Sequence, residues 1–408
     1  MKNTERSHRR VAVLFHRLGP YHCARLQAAT ESGHVSVIEI SAKSRDYSWD
    51  RCACGPEVDR RVVADDDANV SPRELTKRIR HELDSIAPDA VFVPGWSGTR
   101  AYAPLGWCLD HKVPAILMSE TTHLDDRRNI ISETIKSRVL HCFSAALVGG
   151  TPHRSYLENL GFPAKKIALG YDAVDNNYFS DAATQARLRA RELQSTFNLP
   201  MRYFLVSSRF IPKKNLEAII RAYKGYVKAE VGDVQHLVII GDGPLQEPLE
   251  QLVRSLGLNE LVHFPGFVQY NNLPKYYAFA TALIHGSLTE QWGLVVNEAM
   301  ASGIPVIVSR TCGCVHDLVQ DGMNGRLFDP RDVSCLTKII ASLAADPERG
   351  TRFGEAGRAI ISQWGPKRFA QGFWEAVDIA FQFPYSRRSL DGLCLSVAAY
   401  LSQFSRVS

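Results

Sequence analysis

A chain of 408 residues is longer than one hydrophobic core usually holds, so the sequence predicts two domains. Its hydrophobic fraction of 45% and charged fraction of 22% are ordinary for globular proteins, and a net charge of only +5 argues against nucleic acid as the main partner. The sequence shows neither a signal-peptide pattern nor an apolar run of about 18 residues, so we expect a cytoplasmic protein without a membrane-spanning anchor.

Short apolar strands alternate with helices through the first part of the chain. The predicted strands cover residues 11–15, 35–40, 90–93, 115–118 and 145–148. The predicted helices cover residues 21–30, 71–86 and 151–160. Ser71 is a good helix cap and Pro72 suits a first helical position. Residues 41–70 are polar and show no clear periodicity.

A second alternating series begins at residue 203. Its predicted strands cover residues 203–207, 236–240, 262–264, 282–284 and 304–308, and helical runs follow over 331–381. Such alternation predicts mostly parallel sheets with helices on both faces. We therefore predict an α/β protein with two Rossmann-like domains.

We place these domains at residues 1–175 and 176–382. The remaining segment, residues 383–408, is moderately apolar. We expect it to pack back on the first domain, and the alternative is a helix that lies on a membrane surface.

Two carboxylates eight residues apart, Glu290 and Glu298, stand out in the second half. The turn Trp292-Gly293 lies between them and Leu294 begins an apolar helix, so Glu290 falls before the helix and Glu298 about one turn into it. The N-terminus of a helix favours an anion. A carboxylate beside an anion site suits a ligand with both a phosphate and many hydroxyl groups, as in a nucleotide sugar.

This stretch resembles the glutamate-pair signature of the family 4 retaining glycosyltransferases. The resemblance implies a GT-B fold, in which two Rossmann-like domains have parallel sheets that face each other across a cleft. It implies that Glu290 lies near the donor sugar hydroxyls, that Glu298 holds the ribose, and that Trp292, Gly293 and Leu294 contact the donor. Where the family usually has Gly-Phe, this chain has Gln291-Trp292.

Arg209 and Lys214 follow the strand at 203–207 and lie five residues apart, so they can converge on one diphosphate. They resemble the family's Arg-and-Lys motif, which implies that they bind the pyrophosphate. We expect Lys213 to face solvent. The turn Gly241-Asp242-Gly243 is predicted to have a mainly structural role.

Three further regions carry weaker predictions. In the family, the turn that contains Val268 lines the nucleotide base. Gly19 begins a helix after the first strand and is a predicted donor contact. Glu120 takes the place just past a strand where family members carry a His or an acid, and His123 is the alternative to it as a catalytic group.

We expect no cofactor and no metal. The C-x-C pairs Cys52/Cys54 and Cys312/Cys314 lack a zinc-binding spacing, and the Asp65–Asp67 run is expected to be a solvated loop.

The predicted enzyme is a metal-independent, retaining, hexosyltransferase-type glycosyltransferase. Its partners would be a nucleoside diphosphate sugar and a glycan or lipid-linked acceptor of envelope or exopolysaccharide synthesis, with peripheral contact at the inner membrane face left open. The alternatives are transfer to a soluble small molecule, a GT-B-like nucleotide-sugar epimerase, and a non-catalytic nucleotide-sugar binding module. A nicotinamide dehydrogenase is disfavoured because a G-x-G-x-x-G turn after the first strand is missing.

Overall fold

The computed structural model describes residue 6 and residues 8–43, 49–50, 52, 54–125, 130–230 and 232–384, without the side chains at 130–132. The chain forms two compact units. Unit 1 contains Met1–Ala173 and Pro366–Ser408, and unit 2 contains Val174–Gly365. Residues 385–408, for which we predicted packing on the first domain, lie outside the described residues.

Unit 1 is built on a seven-stranded parallel sheet with the order β3-β2-β1-β4-β5-β6-β7. Its strands are β1 (Arg10–Phe15), β2 (His34–Ser41), β3 (Asp59–Ala64), β4 (Ala90–Pro94), β5 (Ala115–Ser119), β6 (Ala145–Val148) and β7 (Ile167–Leu169). Its helices are α1 (Pro20–Thr30), α2 (Pro72–Ile86), α3 (Thr99–His111), α4 (Ile130–Leu140) and α5 (Thr151–Asn159), joined later in the chain by α15 (Pro366–Gln382).

Alternating residues of each central strand enter different cores. Ala12 and Leu14 of β1 pack into one cluster, whereas Val11, Val13 and Phe15 pack into the other. Both faces of the sheet are therefore covered, as parallel sheets require. The predicted cap of α2 is present, because Ser71 Oγ accepts the N–H of Glu74 at 3.2 Å.

The helix α15 belongs to unit 1, although the sequence placed residues 366–382 in the second domain. Phe373 stacks on Phe92 of β4 with ring centroids 4.1 Å apart. Trp374 Nε1 donates to the carbonyl of Ala29 at 2.9 Å. The apolar side chains of α15 thus complete the core on one face of the first sheet. Because α15 follows unit 2 in the sequence, chain order alone does not predict that it packs in unit 1.

Unit 2 is built on a six-stranded parallel sheet with the order β10-β9-β8-β11-β12-β13. Its strands are β8 (Tyr203–Ser207), β9 (His236–Ile240), β10 (Val262–Gly266), β11 (Ala280–His285), β12 (Val306–Ser309) and β13 (Gly325–Phe328). Its helices are α6 (Asn176–Leu188), α7 (Ala190–Thr196), α8 (Leu216–Ala229), α9 (Gln246–Ser255), α10 (Leu273–Phe279), α11 (Leu294–Ala301), α12 (Val315–Leu318), α13 (Val333–Ala344) and α14 (Pro347–Ile361).

Candidate functional site

Two loops of unit 2 begin at the carboxyl ends of neighbouring strands. One follows β8 and contains Arg209 and Lys214, and the other follows β11 and contains Glu290. Asn215 joins the loops, because its side-chain amide donates to the carbonyl of Gly286 at 3.2 Å. The Leu288 N–H also donates to the Lys213 carbonyl at 2.8 Å. The sequence-predicted cation and carboxylate are thus held against each other by the backbone of both loops.

Glu290 is the centre of a polar cluster at this edge. Its Oε2 accepts a charged hydrogen bond from Lys214 Nζ and a second hydrogen bond from Ser287 Oγ at 3.0 Å. His285 Nε2 lies 3.4 Å from the same oxygen. Neither His285 nor Ser287 was predicted from the sequence, although a histidine that ends an apolar strand directly before a glycine could have been noticed.

Burial and charge set the protonation of this cluster. Burial by itself would raise the pKa of Glu290, but the contacts with His285 and Lys214 lower that pKa well below its usual value. Burial lowers the pKa of His285, which is 2% exposed. At neutral pH the cluster therefore holds an ionised carboxylate, an ammonium group and a neutral imidazole.

The loop that contains Arg209 rests on the glycine turn after β9. A Cβ at Gly241 would lie 1.8 Å from the Ser208 carbonyl oxygen, so only glycine fits. The Phe210 N–H donates to the Asp242 carbonyl at 2.6 Å. The turn therefore supports the loop, and the half-buried Arg209 lies at its start. Lys213 is exposed, as we expected from the sequence.

The helix α11 begins at Leu294, directly after Gly293, whose φ of +99° lies in the left-handed region that favours glycine. The first N–H groups of such a helix have no intrahelical acceptor, so this end favours an anion near Leu294. Trp292, in contrast, is 2% exposed. Its indole stacks on Trp364 with centroids 5.4 Å apart, and its Nε1 donates to Asn297 Oδ1 at 2.9 Å. The Trp292 side chain thus anchors the turn, which leaves only its backbone for the predicted donor contact.

Glu298 lies one turn into α11 and is 1% exposed. The hydroxyl of Tyr277, from α10, donates to its Oε2 at 2.6 Å. This bond orients the carboxylate, and the ribose contact of Glu298 stays a prediction. Tyr277 is a site residue that sequence reasoning missed, because an aromatic residue in an apolar helix carries no signal of its own.

The predicted base-binding turn follows β10. Val268 is 8% exposed, and the carbonyl of the preceding Gly266 accepts the Gly241 N–H at 2.9 Å. This bond joins the base turn to the glycine turn after β9, on the same edge of the sheet as Arg209.

The segment that contains the second C-x-C pair supports the Glu290 loop. The Gly313 N–H donates to the Glu290 carbonyl at 2.9 Å, and the Cys314 N–H donates to the Trp292 carbonyl at 3.2 Å. Cys312 and Cys314 are fully buried. Their role in this structure is packing.

Gly19 lies at the start of α1 in unit 1, with extended backbone angles that any residue adopts. Its N–H donates to His22 Nδ1 at 3.0 Å. Burial and the charge of Arg25 lower the pKa of His22 to about 3, so the ring is neutral and caps the helix. The donor contact predicted for Gly19 stays a prediction.

Glu120 follows β5 directly and is half-buried, and after burial its charge is the main cause that raises the pKa of the fully buried Asp172. His123 is exposed in the next turn. That turn is held by Asp125, whose carboxylate accepts the backbone N–H of Thr122 at 2.7 Å and its hydroxyl at 3.0 Å. Glu120 is therefore the more buried of the two catalytic candidates in unit 1.

Comparison with solved structures identifies the fold. Sucrose-phosphate synthase from Thermosynechococcus elongatus matches 92% of this chain over 99% of its own length, with 18% identity and a TM-score of 0.72. Anabaena HepE, solved in complex with UDP, matches 90% of this chain over 99% of its own length, with 17% identity and a TM-score of 0.68. At such identities the likeness establishes the fold alone, and that fold is GT-B. The predicted fold class is confirmed.

Sequence comparison then gives the family. Residues 192–360 match the family model described as "Glycosyl transferases group 1", which is the family that we predicted. The GDP-mannose-dependent alpha-(1-6)-phosphatidylinositol monomannoside mannosyltransferase of Mycolicibacterium smegmatis is 34% identical over 45% of this chain and 49% of its own length. The sulfoquinovosyl transferase SQD2 of Arabidopsis thaliana is 31% identical over 70% of this chain and 55% of its own length. The chain thus spans about half the length of the curated relatives that it matches.

Proposed function

We propose that this protein transfers a hexosyl group from a nucleoside diphosphate sugar to a hydroxyl acceptor, with retention at the anomeric carbon. The observation that carries the proposal is the cluster at the edge of the second sheet. There Lys214, Ser287 and His285 surround an ionised Glu290, one turn before the helix that presents Glu298. A cation, a carboxylate and a helix N-terminus within a few residues suit a diphosphate attached to a sugar.

Each group has one role in the proposed reaction. Arg209 and Lys214 stabilise the departing diphosphate, which is the largest electrostatic demand of the transition state. Glu290 accepts hydrogen bonds from the sugar hydroxyls, and Glu298 accepts them from the ribose. The acceptor oxygen forms a bond to the anomeric carbon on the face from which the diphosphate leaves. The bond from that carbon to the phosphate oxygen breaks, and this oxygen takes the acceptor proton.

We further propose a lipid-linked or glycan acceptor. The relatives include enzymes named for phosphatidylinositol monomannoside and for monoglucosyldiacylglycerol, both of which are lipids with sugar head groups. With an acceptor of this kind, the enzyme would act as a peripheral protein at a membrane face. Among the described residues, no helix combines the length and the apolar character that a membrane crossing needs.

We propose that transfer needs no metal ion, because Arg209, Lys214 and the start of α11 offset the diphosphate charge. Activity should therefore survive EDTA. A rate that collapses with EDTA and returns with magnesium or manganese would overturn this part of the proposal.

The first experiment is a thermal-shift screen with UDP-glucose, UDP-galactose, UDP-N-acetylglucosamine and GDP-mannose. A bound donor stabilises the folded state by mass action, so at least one of them should raise the melting temperature. Incubation with that donor alone then separates transfer from epimerisation, because an epimerase would return a changed nucleotide sugar.

The decisive variants are Lys214→Ala and the matched control Lys213→Ala. Loss of the charged contact to the departing diphosphate should cost about 2–4 kcal/mol, which is roughly 30- to 1,000-fold in rate. The exposed neighbour Lys213 should be replaceable with little effect. Equal activity in both variants would remove the phosphate assignment.

A further inference from the structure

Three helices of unit 2, α6, α10 and α11, pack against one another. The small residues Ala183 and Ala186 of α6 share an apolar cluster with Ala278 of α10. A ring of the same helix, that of Phe179, lies edge-on to the ring of Tyr277, with centroids 6.0 Å apart. The helix α6 thus supports the helix from which the Tyr277 hydroxyl reaches α11.

Arg187, near the end of α6, makes a second connection to this pair of helices. Its Nε donates to the carbonyl of Ala278 at 2.9 Å, and its Nη2 donates to the carbonyl of Ser302 at 2.7 Å. Ala278 is in the last turn of α10, and Ser302 directly follows the last residue of α11. One guanidinium group therefore ties the carboxyl ends of two helices together.

The chemistry of arginine suits this position. The last carbonyl groups of a helix lack an intrahelical donor and attract a cation. The rigid fork of a guanidinium can serve two such carbonyls at once, whereas an ammonium group is a single point charge. Burial and then the charge of Arg358 lower the pKa of Arg187 to about 10, which leaves the group charged at neutral pH. Both hydrogen bonds of Arg187 go to backbone carbonyls, so the residue links helices instead of balancing an acid.

Both helix ends that Arg187 holds are next to the hydrogen bond between Tyr277 and Glu298. Ala278 is the residue that follows Tyr277. The Ser302 N–H donates to the Glu298 carbonyl at 2.9 Å, so Ser302 closes the helical turn that Glu298 begins. The Tyr277 hydroxyl donates to Glu298 Oε2 at 2.6 Å. A shift of either helix end would therefore change how this carboxylate is presented.

We infer that Arg187 is a positioning residue for nucleotide binding: by tying the ends of α10 and α11, it fixes the orientation of the Tyr277–Glu298 pair for the ribose. The inference rests on the proposed function, in which Glu298 accepts hydrogen bonds from the ribose. Arg187 acts only through that carboxylate. It therefore governs the affinity for the ribose and leaves the diphosphate contacts of Arg209 and Lys214 unchanged.

Arg358 of α14 provides a matched control at the same helix end. Its Nη2 donates to the same Ser302 carbonyl at 3.2 Å, and within the described part of the chain it donates no hydrogen bond to α10. Arg358→Gln thus removes a cation from the end of α11 and keeps the tie to α10, whereas Arg187→Gln removes the tie. Arg187→Lys keeps the positive charge but loses the fork.

The experiment measures how strongly the protein prefers a ribose that has its hydroxyl groups. Calorimetry compares UDP, GDP and ADP with their 2′,3′-dideoxy forms, which lack the hydroxyls assigned to Glu298. Arg187→Gln and Arg187→Lys should weaken binding of the preferred nucleotide about 2- to 10-fold and leave its dideoxy form nearly unchanged. Arg358→Gln should keep the wild-type preference. In a Glu298→Ala background, Arg187→Gln should cause no further loss of affinity, because its effect passes through the missing carboxylate.

Hydrogen exchange tests the tie without any ligand. Arg187→Lys should speed exchange of backbone N–H groups in both α10 and α11, whereas Arg358→Gln should speed it in α11 alone. If Arg187→Gln fails to fold, Arg187→Lys serves for calorimetry and for exchange, because it keeps the charge and most of the side chain.

A wild-type ribose preference in the Arg187 variants would overturn the inference, and so would an equal loss of preference in Arg358→Gln. Full recovery in Arg187→Lys would also refute it, since the charge and not the tie would then matter. Failure of the proposed function has a different signature, because the wild type itself would then bind none of the three nucleotides or show no ribose preference. In that case the inference falls with the function, whatever the exchange pattern.

Discussion

Single side chains determine how the carboxylates of the proposed donor site are oriented. Glu298 is buried, and its Oε2 accepts a hydrogen bond from the hydroxyl of Tyr277. Loss of such a bond should destabilise the folded protein, since hydrogen bonds to charged groups contribute about 1.5–3 kcal/mol to the free energy of unfolding. The orientation of Glu298 is therefore inseparable from the packing of α10 against α11.

We predict that Tyr277→Phe lowers the free energy of unfolding by about 1.5–3 kcal/mol and weakens binding of the bare nucleoside diphosphate about 2- to 10-fold. Chemical denaturation and calorimetry with UDP and GDP measure the two effects. Tyr276→Phe is the control, because the Tyr276 hydroxyl makes no hydrogen bond to the described residues. Equal losses in the two variants would mean that the Tyr277 bond to Glu298 has no special importance.

Lys214 and Glu290 act as one unit, because they are in direct contact and both side chains are mostly buried. We predict that Lys214→Ala and Glu290→Ala are strongly non-additive, with a coupling free energy of about 0.5–3 kcal/mol in kcat/KM. Glu290→Ala should also weaken binding of the nucleoside diphosphate without its sugar, because Lys214 loses the partner that orients it. The pair Lys213→Ala and Glu290→Ala should be additive. If the losses of kcat/KM caused by Lys214→Ala and Glu290→Ala were additive, the two residues would not be functionally coupled.

At the scale of elements, the sequence predicted the central strands closely and missed strands at the sheet edges. β3, β7 and β13 were not predicted, and each is an edge strand of its sheet. Edge strands can be charged, as in the Asp-Arg-Arg start of β3, or very short, as in the three residues of β7. The hydrophobic pattern that identifies a buried strand is therefore too weak at these positions.

The same limit applies to the candidate site. Arg209, Lys214, Glu290 and Glu298 could be found from motif spacing, and the structure places Lys214 against Glu290. The groups that hold these residues come from other elements and have no spacing to detect. Asp67 gives a further example: we expected it in a solvated loop, but its carboxylate is mostly buried and forms an ion pair with the partly exposed Arg100, 2.6 Å away. Only the fold brings such partners together.

The glycine turn after β9 offers a prediction about an element. Gly241 has a φ of +127°, and its missing Cβ makes room for the Ser208 carbonyl. We predict that Gly241→Ala destabilises unit 2 by about 1–3 kcal/mol or more and lowers donor affinity, because the Arg209 loop must move. Gly350→Ala in α14, where a Cβ would meet Pro305 Cγ at 3.8 Å, should be neutral or slightly stabilising. A neutral Gly241→Ala would show that the loop does not depend on this approach.

Across the whole molecule, buried neutral histidines are expected to make the fold sensitive to mild acid. Burial, aided by Arg25, lowers the pKa of His22 to about 3. Burial is also the largest cause of the lowered pKa values of His263 and His285. In the unfolded chain these rings accept protons near pH 6.5, whereas in the folded protein they accept protons only at lower pH. The unfolded state therefore binds more protons, and the free energy of unfolding must fall as the pH drops below about 6.5.

Each such histidine contributes a slope of up to about 1.4 kcal/mol per pH unit in this window. We predict that urea midpoints decline between pH 7.5 and pH 5, and that His22→Asn makes the decline shallower. Replacement of the exposed His34 by Gln should leave it as in the wild type. A second loss should follow below about pH 4.5, because Glu290 then takes up a proton in the unfolded chain while its lowered pKa keeps it ionised in the folded protein. Midpoints that stay constant down to pH 5 would mean that these rings take up protons without leaving their buried positions.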